Sequence, residues 1–203
     1  MTKVCILDYG SGNVASVFNL ISYLGYDCKI SNKVDYIEDS SHIILPGVGS
    51  YSKSIEKIKK NISIEFLEKQ ILEKKKPFLG ICVGMQILST IGQEFEVCNG
   101  LNWINGTVKK MDNDKLPHIG WNNVKIKKDS DLFKNLSNEE DFYFLHSYHF
   151  LPENQNVIVA ETHYETFFCS VIECDNIFGV QFHPEKSQKA GQILIKNFLD
   201  FNL

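Results

Sequence analysis

The sequence predicts an α/β fold: a mostly parallel central sheet with helices on both faces, followed by a β-rich C-terminal half. Three observations carry this. Short apolar runs alternate with stretches of helical periodicity through the first part of the chain, and glycine-rich turns follow several of those runs. From about residue 101 to 180 the texture changes to short β-type segments before a final helical stretch.

Residues 3–8 form the first apolar run, a buried strand leading into the turn Asp8-Tyr9-Gly10-Ser11-Gly12-Asn13. Val14, Val17, Phe18, Ile21 and Leu24 then fall on one helical face, and Gly25 is a natural stop. Residues 26–31 predict a second strand, and 42–46 a third that ends in Gly47-Val48-Gly49. Lysine-rich sequence predicts helix over 51–75, with its clusters at 57–60 and 74–76 as solvated faces. Lys76-Pro77-Phe78-Leu79 opens a further buried strand, and Met85-Gln86-Ile87-Leu88 begins another helical pattern. Candidate strands follow at 103–109, 122–126, 142–145, 157–162, 167–172 and 177–182. Residues 187–201 return to helix, with Ala190, Ile193, Leu194, Asn197 and Phe198 at i, i+3 and i+4 spacing. With no internal repeat, linker or low-complexity tract, one domain over 1–203 is expected.

Composition narrows the function. Hydrophobic content of 43% with 23% charged residues is ordinary for a soluble globular protein, and a net charge of −4 argues against a nucleic-acid partner. All 21 basic residues are lysine, so no bidentate guanidinium clamp on phosphate can be built within this chain. No run approaches the roughly 18 apolar residues of a membrane span, and the N-terminal run is too short for a signal-peptide core. Cys5, Cys28, Cys82, Cys98, Cys169 and Cys174 show no C-x-x-C spacing, which favours reduced thiols and a cytoplasmic location.

Two segments carry the chemistry. Gly80-Ile81-Cys82-Val83-Gly84 has the pattern of a nucleophile elbow with cysteine at its apex. A side chain at such a strand-to-helix turn is pushed out of the sheet over a helix N-terminus, which favours the thiolate. About a hundred residues later, Gln181-Phe182-His183-Pro184-Glu185 offers a base and a carboxylate two positions on. On an extended segment i and i+2 point the same way, so Glu185 can orient His183 as His183 serves Cys82. Taken singly, the cysteine is as well read as a buried structural residue and the His-Pro pair as a surface turn; together they favour a triad. Donors for a developing oxyanion are offered by the Val83 N–H and by the amides of Gly47, Val48 and Gly49.

These segments, with Met85-Gln86, Pro46-Gly47-Val48-Gly49, Pro117-His118-Ile119-Gly120-Trp121-Asn122 and Tyr143-Phe144-Leu145-His146-Ser147-Tyr148, span nearly the whole chain. The ordered set resembles the class I (triad) glutamine amidotransferases. Within that family it is most similar to the HisH type, the glutaminase subunits of imidazole glycerol phosphate synthases. The resemblance implies a flavodoxin-like fold with no cofactor and no metal. It further implies hydrolysis of glutamine through Cys82, His183 and Glu185, with Gln86, Glu94, His146, Ser147 and Tyr148 gripping the amino-acid end. Ammonia would pass to a (β/α)₈ cyclase subunit in a heterodimer that makes imidazole glycerol phosphate and aminoimidazole carboxamide ribotide. Asn13, Trp121 and Lys186 match positions at that subunit interface, with ordinary core packing as the alternative for Trp121. Val83 and Ser50-Tyr51 depart from the family's usual residues without touching the triad.

Three other readings stand beside this one. The same glutaminase could feed a different synthetase, such as one amidinating a bacterial surface-polysaccharide sugar. His146, His149, His163 and Cys169 invite a metal-binding reading, although His146-x-x-His149 on one strand would point to opposite faces. A catalytically dead scaffold is disfavoured by the presence of all three triad residues.

Overall fold

The computed structural model describes residues 2–202. The first half runs β1 (Lys3–Leu7), α1 (Val14–Tyr23), β2 (Asp27–Ser31), α2 (Val34–Asp39), β3 (His42–Gly47), α3 (Tyr51–Asn61), α4 (Ile64–Glu68), β4 (Phe78–Cys82) and α5 (Val83–Gln86). The second half runs β5 (Ile91–Gly92), β6 (Cys98–Asn99), β7 (Gly106–Lys110), β8 (His118–Ile126), β9 (Glu139–His146), β10 (Tyr148–Pro152), β11 (Ile158–Tyr164), β12 (Thr166–Cys174), β13 (Ile177–Val180) and α6 (Gln188–Asp200). One nine-stranded sheet has the order β2-β1-β3-β4-β13-β12-β11-β8-β9, and β10-β7-β5-β6 form a second.

The strands β2, β1, β3, β4 and β13 are parallel, in the spatial order of flavodoxin-like folds. Their centre is sealed: every residue of β3, β4 and β13 is buried, which is why these strands read as continuous apolar runs rather than alternating ones. The crossover β1–α1–β2 runs one way along the sheet, while β2–α2–β3 and β3–α3–α4–β4 run the other. Right-handed crossovers therefore place α1 on one face and α2 to α4 on the opposite face. The reversal between β1 and β3 is the switch point of the sheet, outside whose C-terminal strand ends a crevice opens.

The β-rich half joins this sheet instead of forming a body of its own. The strands β12, β11, β8 and β9 extend it antiparallel from β13. Phe182 ties the two parts together: its ring is stacked on Phe142 of β9 at 4.0 Å and meets Phe144 edge-on at 5.6 Å. Burying each such phenylalanine contributes about 1.5–3 kcal/mol.

Several elements differ from the sequence expectation. The helix over 51–75 is broken, because Ile62 is extended and Ser63 caps α4 by accepting the Phe66 N–H; a π-helical stretch, Lys69–Glu73, follows. The helix after the elbow lasts one turn. The Ile87 carbonyl accepts from Leu101 N–H, and that of Leu88 from the N–H groups of Trp103 and Ile104, so a returning loop takes the acceptors that further helix would need. For the same reason the strand expected at 103–109 begins only at Gly106. The short elements α2, β5, β6 and β10 were not expected. No helix among the described residues is long and apolar enough to cross a membrane.

Candidate active site

Cys82 ends β4 and turns the chain into α5 with φ 55° and ψ −112°, a region that L residues rarely adopt. The flanking glycines permit this turn. A Cβ on Gly80 would lie 2.5 Å from the Gly84 carbonyl oxygen, and one on Gly84 would lie 2.0 Å from that of Leu45. Gly47, paired with Cys82 in the sheet, is likewise a close approach: its Cβ would lie 2.3 Å from Gly84 N. Gly47 is buried at the strand end, while Val48, Gly49 and Val83 line the cavity beside the sulfur. Val83 opens α5, so its N–H has no partner within the helix.

His183 lines the same cavity. Its Nδ1 lies 2.9 Å from Oε1 of Glu185, and both side chains are almost completely removed from water. Burial opposes the imidazolium charge, but the Cys82 sulfur and the Glu185 carboxylate outweigh it and raise the His183 pKa to about 10. The residue between them, Pro184, starts a 3₁₀ turn, and Ser187 closes that turn by donating its hydroxyl to the His183 carbonyl at 2.7 Å. The Glu185 carboxylate also accepts from Asn13 Nδ2 at 3.2 Å. Asn13, expected at a subunit interface, therefore contacts the carboxylate of the candidate triad from 172 residues away in sequence.

The cavity holds about 320 Å³, the scale of a small-ligand cleft. Gln86, Glu94, His146, Ser147 and Tyr148 all border it, together with Phe95, which sequence reasoning did not single out. Some of their polar atoms are already committed. Gln86 Nε2 donates to the Tyr148 carbonyl at 2.8 Å and to Gln181 Oε1 at 3.0 Å, so a ligand would meet its Oε1. Glu94 Oε2 accepts from Tyr51 N–H at the start of α3, at 2.7 Å.

Behind this wall runs a directed chain of neutral groups. His146 Nδ1 donates to the Tyr148 carbonyl at 2.9 Å, which leaves its Nε2 to accept from His118 Nδ1 at 3.1 Å. His118 Nε2 in turn accepts from Asn122 Nδ2 at 3.1 Å. The His118 ring stacks on Tyr164 at 4.0 Å and on Phe144 at 4.7 Å. Burial lowers the pKa of His118 to about 4 and that of His146 to about 3.

Trp121 is 47% exposed, with its ring edge-on to Tyr143 at 6.2 Å, so it is not a core residue. Lys186 is exposed and its Nζ lies 5.5 Å from the Tyr143 ring. His146 and His149 do not share a strand: one ends β9 and the other sits in β10, in the second sheet. No cluster of three or more His, Cys, Asp or Glu suited to a metal occurs among the described residues. All six cysteines are free.

Sequence reasoning missed Gln181, whose Nε2 lies 3.7 Å from the Cys82 sulfur. The i, i+2 rule that joined His183 to Glu185 also places Gln181 on the side of His183, and was the available signal.

Residues 5–201 match the family model for class-I glutamine amidotransferases. The chain is 42% identical to the imidazole glycerol phosphate synthase subunit HisH of Pelagibacter ubique, over 98% of this chain and 99% of that protein. It is 44% identical to the subunit of the same name from Pyrococcus furiosus, over 98% of each. Among solved structures, a chain of PurLQS from Thermotoga maritima superposes with a TM-score of 0.76 at 19% identity, covering 98% of this chain and 98% of the other.

Proposed function

We propose a function from a plain premise: the chain belongs to the class-I glutamine amidotransferase family. It is the glutaminase subunit of imidazole glycerol phosphate synthase, a single amidotransferase domain over 1–203 working in the cytoplasm. The observation that carries the reading is the meeting of a strained cysteine, a charged imidazole and a buried carboxylate at one cavity that Gln86, Glu94, and His146 to Tyr148 also line.

The Cys82 thiolate attacks the γ-carboxamide carbon of glutamine, forming a C–S bond while negative charge moves onto oxygen. The Val83 N–H and the amides of Gly47, Val48 and Gly49 receive that charge; one such donor contributes about 3–4 kcal/mol in related hydrolytic sites. The C–N bond then breaks, and His183 supplies the proton that lets ammonia leave. Water, deprotonated through His183, adds to the thioester and releases glutamate. Glu185 holds the imidazole in the correct tautomer, and Asn13 holds Glu185.

Ammonia passes to a (β/α)₈ cyclase subunit, which makes imidazole glycerol phosphate and aminoimidazole carboxamide ribotide in histidine biosynthesis. An exposed face beside the site supports such a partner. Trp121, Ile119 and Leu145 lie exposed on the adjacent strands β8 and β9, with Lys186 nearby. The absence of arginine fits this division of labour, since glutamine demands no phosphate clamp.

The Val48 carbonyl accepts from Ser11 Oγ at 3.1 Å, which fixes one orientation of the peptide that carries the Gly49 N–H. The family resemblance, not this bond, implies that the isolated chain is nearly inactive and that partner binding turns these amides toward the substrate. A coupled assay with the cyclase subunit, comparing glutamine with free ammonium, tests the reading. Glutamine-dependent product with the cyclase subunit is expected, and Cys82→Ala is expected to leave only the ammonium-dependent reaction. Stimulation by a sugar-modifying synthetase alone would overturn the histidine assignment, and glutamine hydrolysis by Cys82→Ala would overturn the nucleophile.

A further inference from the structure

Gln181 is fully buried between β13 and His183, and its position is fixed from both sides. Its backbone N–H donates to the Ser170 carbonyl at 2.9 Å, and the next residue is the stacked Phe182. Which end of its carboxamide faces the sulfur follows from the partners. The Tyr148 carbonyl can only accept, so the Gln86 atom 2.8 Å from it is the nitrogen. That nitrogen lies 3.0 Å from Gln181, which must present its oxygen there. The Gln181 nitrogen is left facing the Cys82 sulfur at 3.7 Å.

An N–H cannot accept, so the sulfur must; a thiolate is a far better acceptor than a thiol. A further polar neighbour of the sulfur, the Leu145 carbonyl at 3.9 Å, suits only the thiol. We propose that Gln181 is a further catalytic residue: its carboxamide N–H holds the Cys82 sulfur as the thiolate, and Gln86 fixes which end of that carboxamide faces the sulfur. This assignment rests on the glutaminase function proposed above. His183 faces the same sulfur with a charge, and Gln181 faces it with a neutral donor.

The donor acts twice in the reaction. Before attack it donates to the sulfur lone pair and holds the nucleophile in place. During attack the sulfur gives an electron pair to the new C–S bond and the N–H···S bond weakens. When the water-derived oxygen has added to the thioester carbon, the C–S bond breaks and its electron pair returns to sulfur. The Gln181 N–H then stabilises the departing thiolate, so the residue assists deacylation as well as activation.

The test is alkylation of Cys82 by iodoacetamide as a function of pH, read at the Cys82 peptide by mass spectrometry in the full chain. Glutamine turnover of the cyclase complex is measured beside it. Gln181→Glu keeps the shape and the acceptor for Gln86 but replaces the donor with an anion, whereas Gln181→Met removes both. The alkylation midpoint is expected to rise by about one pH unit or more in the Met variant, and further in the Glu variant. The kcat at neutral pH is expected to fall about tenfold or more with KM for glutamine changed less than about twofold. Thermal unfolding checks that each variant is folded, and the isosteric Glu variant decides the matter if the Met variant is not. A folded Gln181→Glu chain with the wild-type alkylation midpoint overturns the proposal. A wild-type complex that leaves glutamine intact overturns the glutaminase reading instead, since the alkylation midpoint is measured without turnover.

Discussion

His183 and His146 both line one cavity, 1% and 7% exposed, yet their electrical character is opposite. Burial is unfavourable for the charge on both. At His146 nothing reverses it: the partners are a carbonyl oxygen and a second neutral imidazole, and the pKa falls to about 3. At His183 the neighbouring Cys82 sulfur and then a buried carboxylate at 2.9 Å overcome the same penalty, and the pKa rises to about 10. Exclusion of water does not by itself decide the state of a histidine; an anion buried with it does. One wall of the cavity is thus arranged to move protons, and the other to stay fixed while a ligand is held.

Removing the anion is the strongest way to break this contrast. Glu185→Gln preserves shape and removes one of the two partners that hold the His183 charge, leaving the Cys82 sulfur. Glutamine turnover in the assembled enzyme is expected to fall by about 10²–10⁴-fold, and an NMR titration of the His183 ring should show its pKa moving down. The neutral wall gives a smaller effect of another kind. His118→Phe keeps the stack with Phe144 and Tyr164 but strands His146 Nε2 and removes one of the Asn122 Nδ2 bonds, the other staying with the His163 carbonyl. A loss of about 1–3 kcal/mol in urea unfolding is expected, with the pH dependence of Cys82 alkylation unchanged.

The mildest test is stability against pH, where the two walls should pull in opposite directions. The folded pKa values of His118, His146 and His149 are depressed to about 4, 3 and 4 from the ordinary histidine value of 6.5. Their contribution is complete above that value and is lost as pH falls toward 4. The folded pKa of His183 is raised from 6.5 to about 10, so its contribution is complete below 6.5 and is lost as pH rises toward 10. Urea midpoints are expected to peak near neutrality, and His183→Asn should flatten the alkaline limb while sparing the acid one.

The legible parts of this molecule were those set by local pattern. The face formed by Val17 and Ile21, the apolar runs of β3 and β4, and the glycines flanking Cys82 can all be read from a few neighbouring residues. The His183–Glu185 pair was legible by proximity, with one residue between its members, but the extended segment expected there is a 3₁₀ turn, and that turn rather than strand alternation brings Glu185 to His183. What stayed hidden depends on distant partners. The two-residue strands β5 and β6 exist only through pairing with each other and with β7. The one-turn length of α5 is set by a loop that returns to take its acceptors. Asn13 matched an interface position in sequence, and only the fold brings it to Glu185. Assigning His146 and His149 to one strand failed because the chain changes sheets between them.

The backbone at Cys82 carries a consequence for how such a chain can drift in sequence. Its positive φ belongs to a conformation in which glycine is comfortable and a side chain is not, at a cost on the order of 1–3 kcal/mol. Cysteine is therefore the wrong residue for folding and is kept there by the reaction alone. Were glutamine hydrolysis to lose its value to the cell, folding stability would itself favour replacement at this position. A copy released from selection would thus be expected to lose its nucleophile before it lost its fold.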